Sequence, residues 1–277
     1  MCAVSQHPFD FLDPDTLHAV LSAVHIPHVV TKSVCKTWKD AVGIASTKTS
    51  VHDVVVSISL LHWARSKNCP WTVFTCAAIA ETGRADVLQE ARVHGCPWDF
   101  TTCAVAAKRG HLEVLQFALG HGCPLGHSGG ISRLHLICED AVLFGNLNII
   151  QWLAKTYGPQ MNHHTLTHYA TRGGHLAVIQ WMSLVGMLRV NTYVYDLAAV
   201  CGHLHVLMWF HGHAHRYMDT YTCFFAAGAG HLTVLQWLRA HHCPWDAMTY
   251  RAARRNGDAK LVEWLRANRC PGSEPSV

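Results

Sequence analysis

Cysteine and histidine are the residues of this chain that could bind a metal or act as nucleophiles, because 12 cysteines and 23 histidines occur among 277 residues. Structural zinc sites commonly use Cys-x-x-Cys pairs, and the sequence contains no such pair. Nine cysteines recur instead at two positions of a repeated unit: Cys76, Cys103, Cys138 and Cys223 at one, and Cys69, Cys96, Cys123, Cys243 and Cys270 at the other. Such columns are typical of small packing residues in a reducing compartment, so we expect neither a metal site nor a disulfide framework.

One histidine cluster, His211, His213 and His215, has alternate spacing that would suit a metal only in an extended segment; the alternative is a loop of solvated histidines. Four other histidines directly follow a repeated glycine and are expected to serve the turn there: His111, His175, His203 and His231. The sequence has no glycine-rich phosphate loop and no nucleophile elbow. We therefore expect no catalytic activity and no cofactor.

A repeated unit organises most of the chain, and a glycine marks each copy: Gly83, Gly110, Gly145, Gly174, Gly202, Gly230 and Gly257. Mostly small residues three, four and seven positions before each glycine predict a first helix with a narrow packing stripe. Apolar residues two, four, five, seven and eight positions after it predict a second helix, and the glycine suits the left-handed turn between them. A threonine is expected to cap each first helix, as at Thr75, Thr102, Thr222 and Thr249.

A large ring recurs seven positions after the glycine, with Glu90 as the exception: Phe117, Trp152, Trp181, Trp209, Trp237 and Trp264. Burial of a large apolar side chain contributes roughly 1.5–3 kcal/mol, so we predict that this column forms the centre of the core. Val56–Trp71 matches only the second half of a unit, and such a half repeat is expected to cap the repeats.

The N-terminal segment differs from the repeats. Residues 7–44 lack the repeat glycine but have apolar residues at helical spacing, which predicts a small helical domain followed by a polar linker at 45–53. Residues 9–44 resemble an F-box, above all in Val-Cys-Lys-x-Trp, and the matching residues are Pro14, Leu17, Leu21, Val34, Cys35 and Trp38. The resemblance implies that these six residues dock on the Skp-type adaptor of a cullin-RING ubiquitin ligase. The alternative is a helical cap with no partner.

The helix pairs, with small alanine sites and Gly-His-Leu between the helices, resemble ankyrin repeats over about residues 54–272, at a period shorter than the usual roughly 33 residues. Gly-His-Leu-x-Val-Leu-Gln-Trp and Cys-Pro-Trp are similar to phrases in short-period ankyrin proteins of giant viruses of amoebae. The fold class that we predict is all-α: an ankyrin-like helix-turn-helix solenoid with a small helical F-box-like domain at its N-terminus. A half repeat and seven repeats would be followed by a flexible tail at 273–277.

A candidate binding stripe lies at the positions six and two before each glycine, which share one helix face and vary among repeats. The partner-binding residues that we predict are Lys108, Glu139, His168, Arg172, Asp196, Phe224, Arg251 and Arg255. The stripe would be basic toward the C-terminus; the alternative is an ordinary solvated face. The insertion Gly126–Leu136 is a second candidate contact, because insertions tend to emerge on one face of an array.

Composition limits the classes of partner. A net charge of +4 with only 14% charged residues gives no basic stripe for nucleic acid, and the sequence has neither a membrane-length apolar run nor a secretory signal pattern. We expect a soluble, monomeric protein in the cytoplasm or nucleus, of a host cell if the source is viral. The F-box-like and ankyrin-like resemblances together imply a ubiquitin-ligase substrate receptor whose repeats hold an unknown target protein. The alternatives are a binding scaffold or decoy with no ubiquitin role, and a metal-binding protein that uses His211, His213 and His215.

Overall fold

The computed structural model describes residues 55–66, 71–128, 131–158, 163–213 and 217–273. The predicted domain at 7–44, with its six F-box-like residues, lies outside this part, as do the linker at 45–53 and almost all of the tail. Within the described residues the chain forms fifteen α-helices and one short β-ribbon. The prediction of an all-helical fold is therefore confirmed in outline, and the ribbon is a departure from it.

The described residues divide into two compact units, one ending at Ile137 and the other beginning at Cys138. The first unit contains α1 (Ile58–Ser66), α2 (Val73–Thr82), α3 (Ala85–Val93), α4 (Phe100–Arg109) and α5 (Leu112–Gly120), followed by the antiparallel pair β1 (His127–Ser128) and β2 (Ile131–Ser132). Helix α1 packs on α3, α2 packs on α4, and α3 packs on α5. Helix α6 (Leu134–Leu143) begins in this unit and ends in the second.

The second unit continues with α7 (Leu147–Tyr157), α8 (His163–Gly173), α9 (Leu176–Leu184), α10 (Thr192–Val200), α11 (Leu204–His213), α12 (Thr220–Gly228), α13 (Leu232–Ala240), α14 (Ala247–Asn256) and α15 (Ala259–Ala267). The first helices α8, α10, α12 and α14 pack side by side in that order, and each packs against its own second helix. Successive helix pairs in this unit therefore repeat one arrangement.

Aspartates cap several first helices, and the threonines predicted for that role do not. The Asp219 carboxylate accepts the backbone N–H groups of Tyr221 and Thr222 at 2.8 and 3.3 Å, and the Thr222 hydroxyl accepts the Asp219 backbone N–H at 3.3 Å. The Asp99 carboxylate accepts the backbone N–H of Thr101 at the start of α4, and the Asp246 carboxylate accepts those of Met248 and Thr249 at the start of α14. The threonine prediction was wrong by three residues. Thr75 and Thr222 are the far members of capping boxes, whereas the buried hydroxyls of Thr102 and Thr249 have no hydrogen-bond partner among the described residues.

The histidine after the repeated glycine ties its helix pair to the preceding pair. His175 Nε2 lies 2.8 Å from the Leu143 carbonyl oxygen, and His231 Nε2 lies 3.1 Å from that of Val200. A carbonyl oxygen only accepts hydrogen bonds, so Nε2–H is the donor. Each ring also lies over the repeated glycine of the preceding helix pair. A Cβ built on Gly145 would stand 2.5 Å from His175 Nδ1. These histidines therefore link neighbouring pairs and do more than form a turn.

On the second helices the buried core positions lie four, five and eight residues after the glycine, as at Val234, Leu235 and Leu238, which are at most 1% exposed. Trp237 and the other rings of its column are only half-buried. The prediction that this column forms the centre of the core was therefore wrong. At 3.6 residues per turn, position seven lies about 60° beyond the nearest core position, so its ring covers the edge of the apolar face.

The described members of both cysteine columns are buried and carry free thiols. The thiols of Cys123 and Cys243 donate to the carbonyl oxygens of Asp99 and Asp219, at 3.1 and 3.2 Å. Burial raises the pKa of the Cys138 thiol to about 12, which keeps it protonated. These side chains fill space and fasten the loop after each second helix to the start of the first helix.

Candidate protein-binding surface

Four first helices of the second unit present aligned residues nine, six and two positions before each repeated glycine. Positions three and four residues apart lie on one side of a helix, so each helix contributes one patch. We call the set the first-helix face: Thr165, His168 and Arg172 on α8; Tyr193, Asp196 and Val200 on α10; Tyr221, Phe224 and Gly228 on α12; Met248, Arg251 and Arg255 on α14.

Large apolar side chains are exposed along this face. Tyr193 is 55% exposed, Tyr221 63% and Met248 44%, and all three occupy the first turn of successive first helices. A single exposed apolar residue is ordinary on a protein surface, but an aligned set next to arginines has the composition of an interaction site.

The C-terminal end of the face is basic. Arg251, Arg254 and Arg255 line one shallow surface cavity on α14, and the Arg251 Nε–H donates to the Ala247 carbonyl oxygen at 3.4 Å. Arg172 is also exposed. A planar guanidinium offers paired donors that match a carboxylate, so this end of the face is suited to an acidic ligand.

Asp196, the acidic member of the face, is engaged by the next repeat. The Thr222 hydroxyl donates to its carboxylate at 2.8 Å. Burial raises the pKa of Asp196, and the Thr222 hydrogen bond partly opposes that shift. Asp196 therefore helps to hold α10 against α12, and less of its carboxylate is available to a partner.

The other predicted binding residues fall into three settings. His168 meets the Tyr193 ring edge-on with centroids 4.8 Å apart, and Phe224 is half-buried with its ring 5.2 Å from that of Phe225. Glu139 on α6 lies near Tyr169, whose pKa is raised first by burial and then by this carboxylate. Lys108 is exposed on α4 of the first unit. The structure thus places His168, Arg172, Asp196, Phe224, Arg251 and Arg255 on neighbouring helices of one unit.

Sequence reasoning missed the position nine before each glycine, which carries Tyr193, Tyr221 and Met248, and also Phe74 on α2 of the first unit, at 67% exposure. The signal was available, because this position is three residues before one of the predicted positions and therefore shares its face. It also lies outside the packing stripe three, four and seven positions before the glycine, so its exposure follows from the predicted helix.

The insertion forms the β-ribbon described above. Arg133, directly after β2, places its guanidinium 5.4 Å from the centre of the Phe100 ring. This contact fastens one end of the insertion to the start of α4.

The histidine cluster predicted as an alternative metal site is helical where the structure describes it. Helix α11 extends through His213, whose ring stacks on Trp209 with centroids 4.7 Å apart, and His211 lies against His241 at 4.9 Å. His215 lies outside the described residues. Residues two apart on a helix point in different directions, so the extended geometry that this metal site required is not formed by His211 and His213.

None of the described helices combines the length and the apolar character needed to cross a membrane. No protein-family model matches the sequence, and no curated protein matches it.

Proposed function

We propose that this protein is a binding adaptor and not an enzyme, with an ankyrin-like solenoid that holds a target protein on the first-helix face. The observation that carries the proposal is the row of exposed Tyr193, Tyr221 and Met248 beside Arg251 and Arg255. Tyrosine, methionine and arginine are enriched in the centres of protein interfaces, because they combine a large contact area with polar or charged groups.

The target that this face fits is a protein segment with both apolar and acidic side chains. Apolar groups would lie against Tyr193, Tyr221 and Met248, and carboxylates would pair with Arg251, Arg254 and Arg255. Charge pairs at the basic end would speed association and fix the orientation, and the aromatic contacts would contribute most of the affinity.

The proposed role of the N-terminal segment is to recruit a ubiquitin ligase. Support for it comes from the F-box-like residues Pro14, Leu17, Leu21, Val34, Cys35 and Trp38. A Skp-type adaptor bound there would bring the ligase close to a target held by the repeats, and the raised effective concentration would favour ubiquitin transfer. Such a receptor acts in the cytoplasm or nucleus, in the host cell if the source is a giant virus. A scaffold or decoy with no ubiquitin role remains the alternative, and adaptor binding distinguishes the two.

The binding face is tested by quantitative affinity capture with the full chain from amoebal cell extract. The variants Tyr221→Ser and Arg255→Glu change the face, and Leu184→Ser and Lys260→Glu are matched controls on the second helices α9 and α15, where both residues are exposed. Truncation of a central tyrosine typically costs about 2 kcal/mol or more, which is roughly a 30-fold loss of affinity.

We expect the wild type and both controls to capture the same proteins, and the two face variants to lose them. Equal capture by Tyr221→Ser, Arg255→Glu and the wild type would contradict the proposal. Circular dichroism of each variant establishes that the differences do not arise from unfolding.

A further inference from the structure

Two histidines and a glutamate meet where the half repeat packs on the first complete helix pair. His62 on α1 and His94, directly after α3, both contact Glu90 on α3: the Nε2 atoms of His62 and His94 lie 2.9 and 3.0 Å from the same Oε1 atom. The three ligating atoms lie within 4.8 Å of one another. We propose that these residues bind a divalent transition metal of the zinc class and thereby link α1 to α3.

Two of the three residues depart from the repeat pattern. The position seven after the glycine carries an aromatic ring in the six other complete pairs, and Glu90 replaces that ring. In the half repeat, Trp63 occupies the ring position, so His62 occupies the position directly before the ring. Five of the seven complete pairs have glutamine at that position: Gln89, Gln116, Gln151, Gln180 and Gln236. The two departures lie in different helices, and the packing of α1 on α3 brings them together.

His94 shows what the missing ring changes. The equivalent histidines His121 and His241 lie on Phe117 and Trp237, with ring centroids 4.2 Å apart in both pairs. Each also donates from Nδ1 to the carbonyl oxygen of that aromatic residue, at 2.9 and 2.8 Å. With Glu90 in place of the ring, His94 instead presents Nε2 to the carboxylate. Replacement of one aromatic residue therefore supplies a carboxylate ligand and reorients an imidazole toward it.

The geometry suits a small divalent ion. Zinc bonds to histidine nitrogen and carboxylate oxygen are about 2.0–2.1 Å long, which places tetrahedral ligand atoms roughly 3.3 Å apart. The two Nε2–Oε1 contacts at 2.9 and 3.0 Å are close to that value. The two Nε2 atoms lie within 4.8 Å of each other, and rotation of the imidazole side chains would bring both onto one ion. The side chains of His62, Glu90 and His94 are 46%, 30% and 33% exposed, which leaves room for water in the remaining position.

Stabilisation of the fold by ion pairs alone does not explain this cluster. Partly exposed pairs of this kind contribute little to stability, whereas an aromatic ring at position 90 would cover apolar surface as the rings do in the other pairs. A metal ion gains from all three groups together, because two imidazoles and one carboxylate form a ligand set that zinc commonly uses.

The test uses the purified full chain and titrates it with Co²⁺, followed by visible absorption, and with Zn²⁺, followed by calorimetry. Three variants remove one ligand each: His62→Gln and Glu90→Trp restore residues that the other repeats use, and His94→Asn copies Asn268 of the last pair. The matched control is His241→Asn, which changes the equivalent position in another pair. Asn268 already donates to the Trp264 carbonyl oxygen at 2.8 Å, so asparagine is tolerated there.

We expect the wild type and His241→Asn to bind one ion per chain at this site, and each of the three ligand variants to bind it at least about tenfold more weakly. Unchanged far-ultraviolet circular dichroism would show that the variants are folded. If all three variants bind Co²⁺ and Zn²⁺ as the wild type does, or if the wild type binds neither ion, the proposal is overturned.

Discussion

Replacement of Gly145 by alanine tests how the histidines join successive helix pairs. Gly145 has φ = +74°, and an added Cβ would stand 2.5 Å from Nδ1 and 2.7 Å from Cγ of His175. The left-handed conformation costs an alanine about 1–2 kcal/mol. Displacement of the ring would also break the 2.8 Å hydrogen bond from His175 Nε2 to the Leu143 carbonyl oxygen, which is worth about 0.5–1.5 kcal/mol. We therefore expect Gly145→Ala to lower the free energy of unfolding by about 1.5–3.5 kcal/mol.

Gly186→Ala is the matched control in the same unit. Gly186 has φ = +72°, and nothing lies within 4 Å of its added Cβ, so only the backbone cost of about 1–2 kcal/mol applies. Urea unfolding followed by circular dichroism and by tryptophan fluorescence gives both values, and coincident transitions would establish that the two-state treatment holds.

A double variant isolates the contribution of the ring. Removal of His175 gives the new methyl group space, so Gly145→Ala combined with His175→Ala should cost about 0.5–1.5 kcal/mol less than the sum of the single variants. Equal losses for Gly145→Ala and Gly186→Ala, together with additivity in the double variant, would refute the proposed link between pairs.

Two further predictions concern the core and one carboxylate. Leu235→Ala should lower the free energy of unfolding by about 2–5 kcal/mol, and by more than Trp237→Ala does, because Leu235 is fully buried and Trp237 covers the core edge. Urea midpoints in the reverse order would contradict the core assignment. Asp196→Asn should raise the urea midpoint near neutral pH. Burial raises the folded-state pKa of Asp196 above 3.8. An acid with a raised pKa loses its stabilising contribution as pH rises through its folded-state pKa, so the ionised carboxylate destabilises the fold near neutral pH. The gain should disappear below pH 3.8, where the carboxyl group is protonated in both states, and a gain independent of pH would show that the charge is not responsible.

The repeat was predictable from sequence because its signals are local. The recurring glycines, such as Gly202 and Gly230, mark left-handed turns, and the small residues before them mark the packing side of each first helix. The capping error had a similarly local cause: Asp219 precedes Thr222 by three residues, and both belong to one capping box.

Features that depend on contacts between repeats were less accessible. The sequence shows Glu90 as an exception in a column of rings, but its meeting with His62 depends on the register of α1 against α3. The burial of the Trp237 column was wrongly predicted, because the size and recurrence of a side chain do not reveal whether its position lies at the centre or at the edge of the apolar helix face.

The measurement that tests the proposed ligase-receptor role most directly is the binding of a purified Skp-type adaptor to the full chain and to Trp38→Ala. Trp38→Ala removes the last residue of the Val-Cys-Lys-x-Trp match, and Trp237→Ala serves as a tryptophan control in the repeats. We expect the wild type and Trp237→Ala to capture the adaptor, and a folded Trp38→Ala to lose it. Absence of adaptor binding by the folded wild-type chain would contradict the ligase role and leave the protein as a binding scaffold.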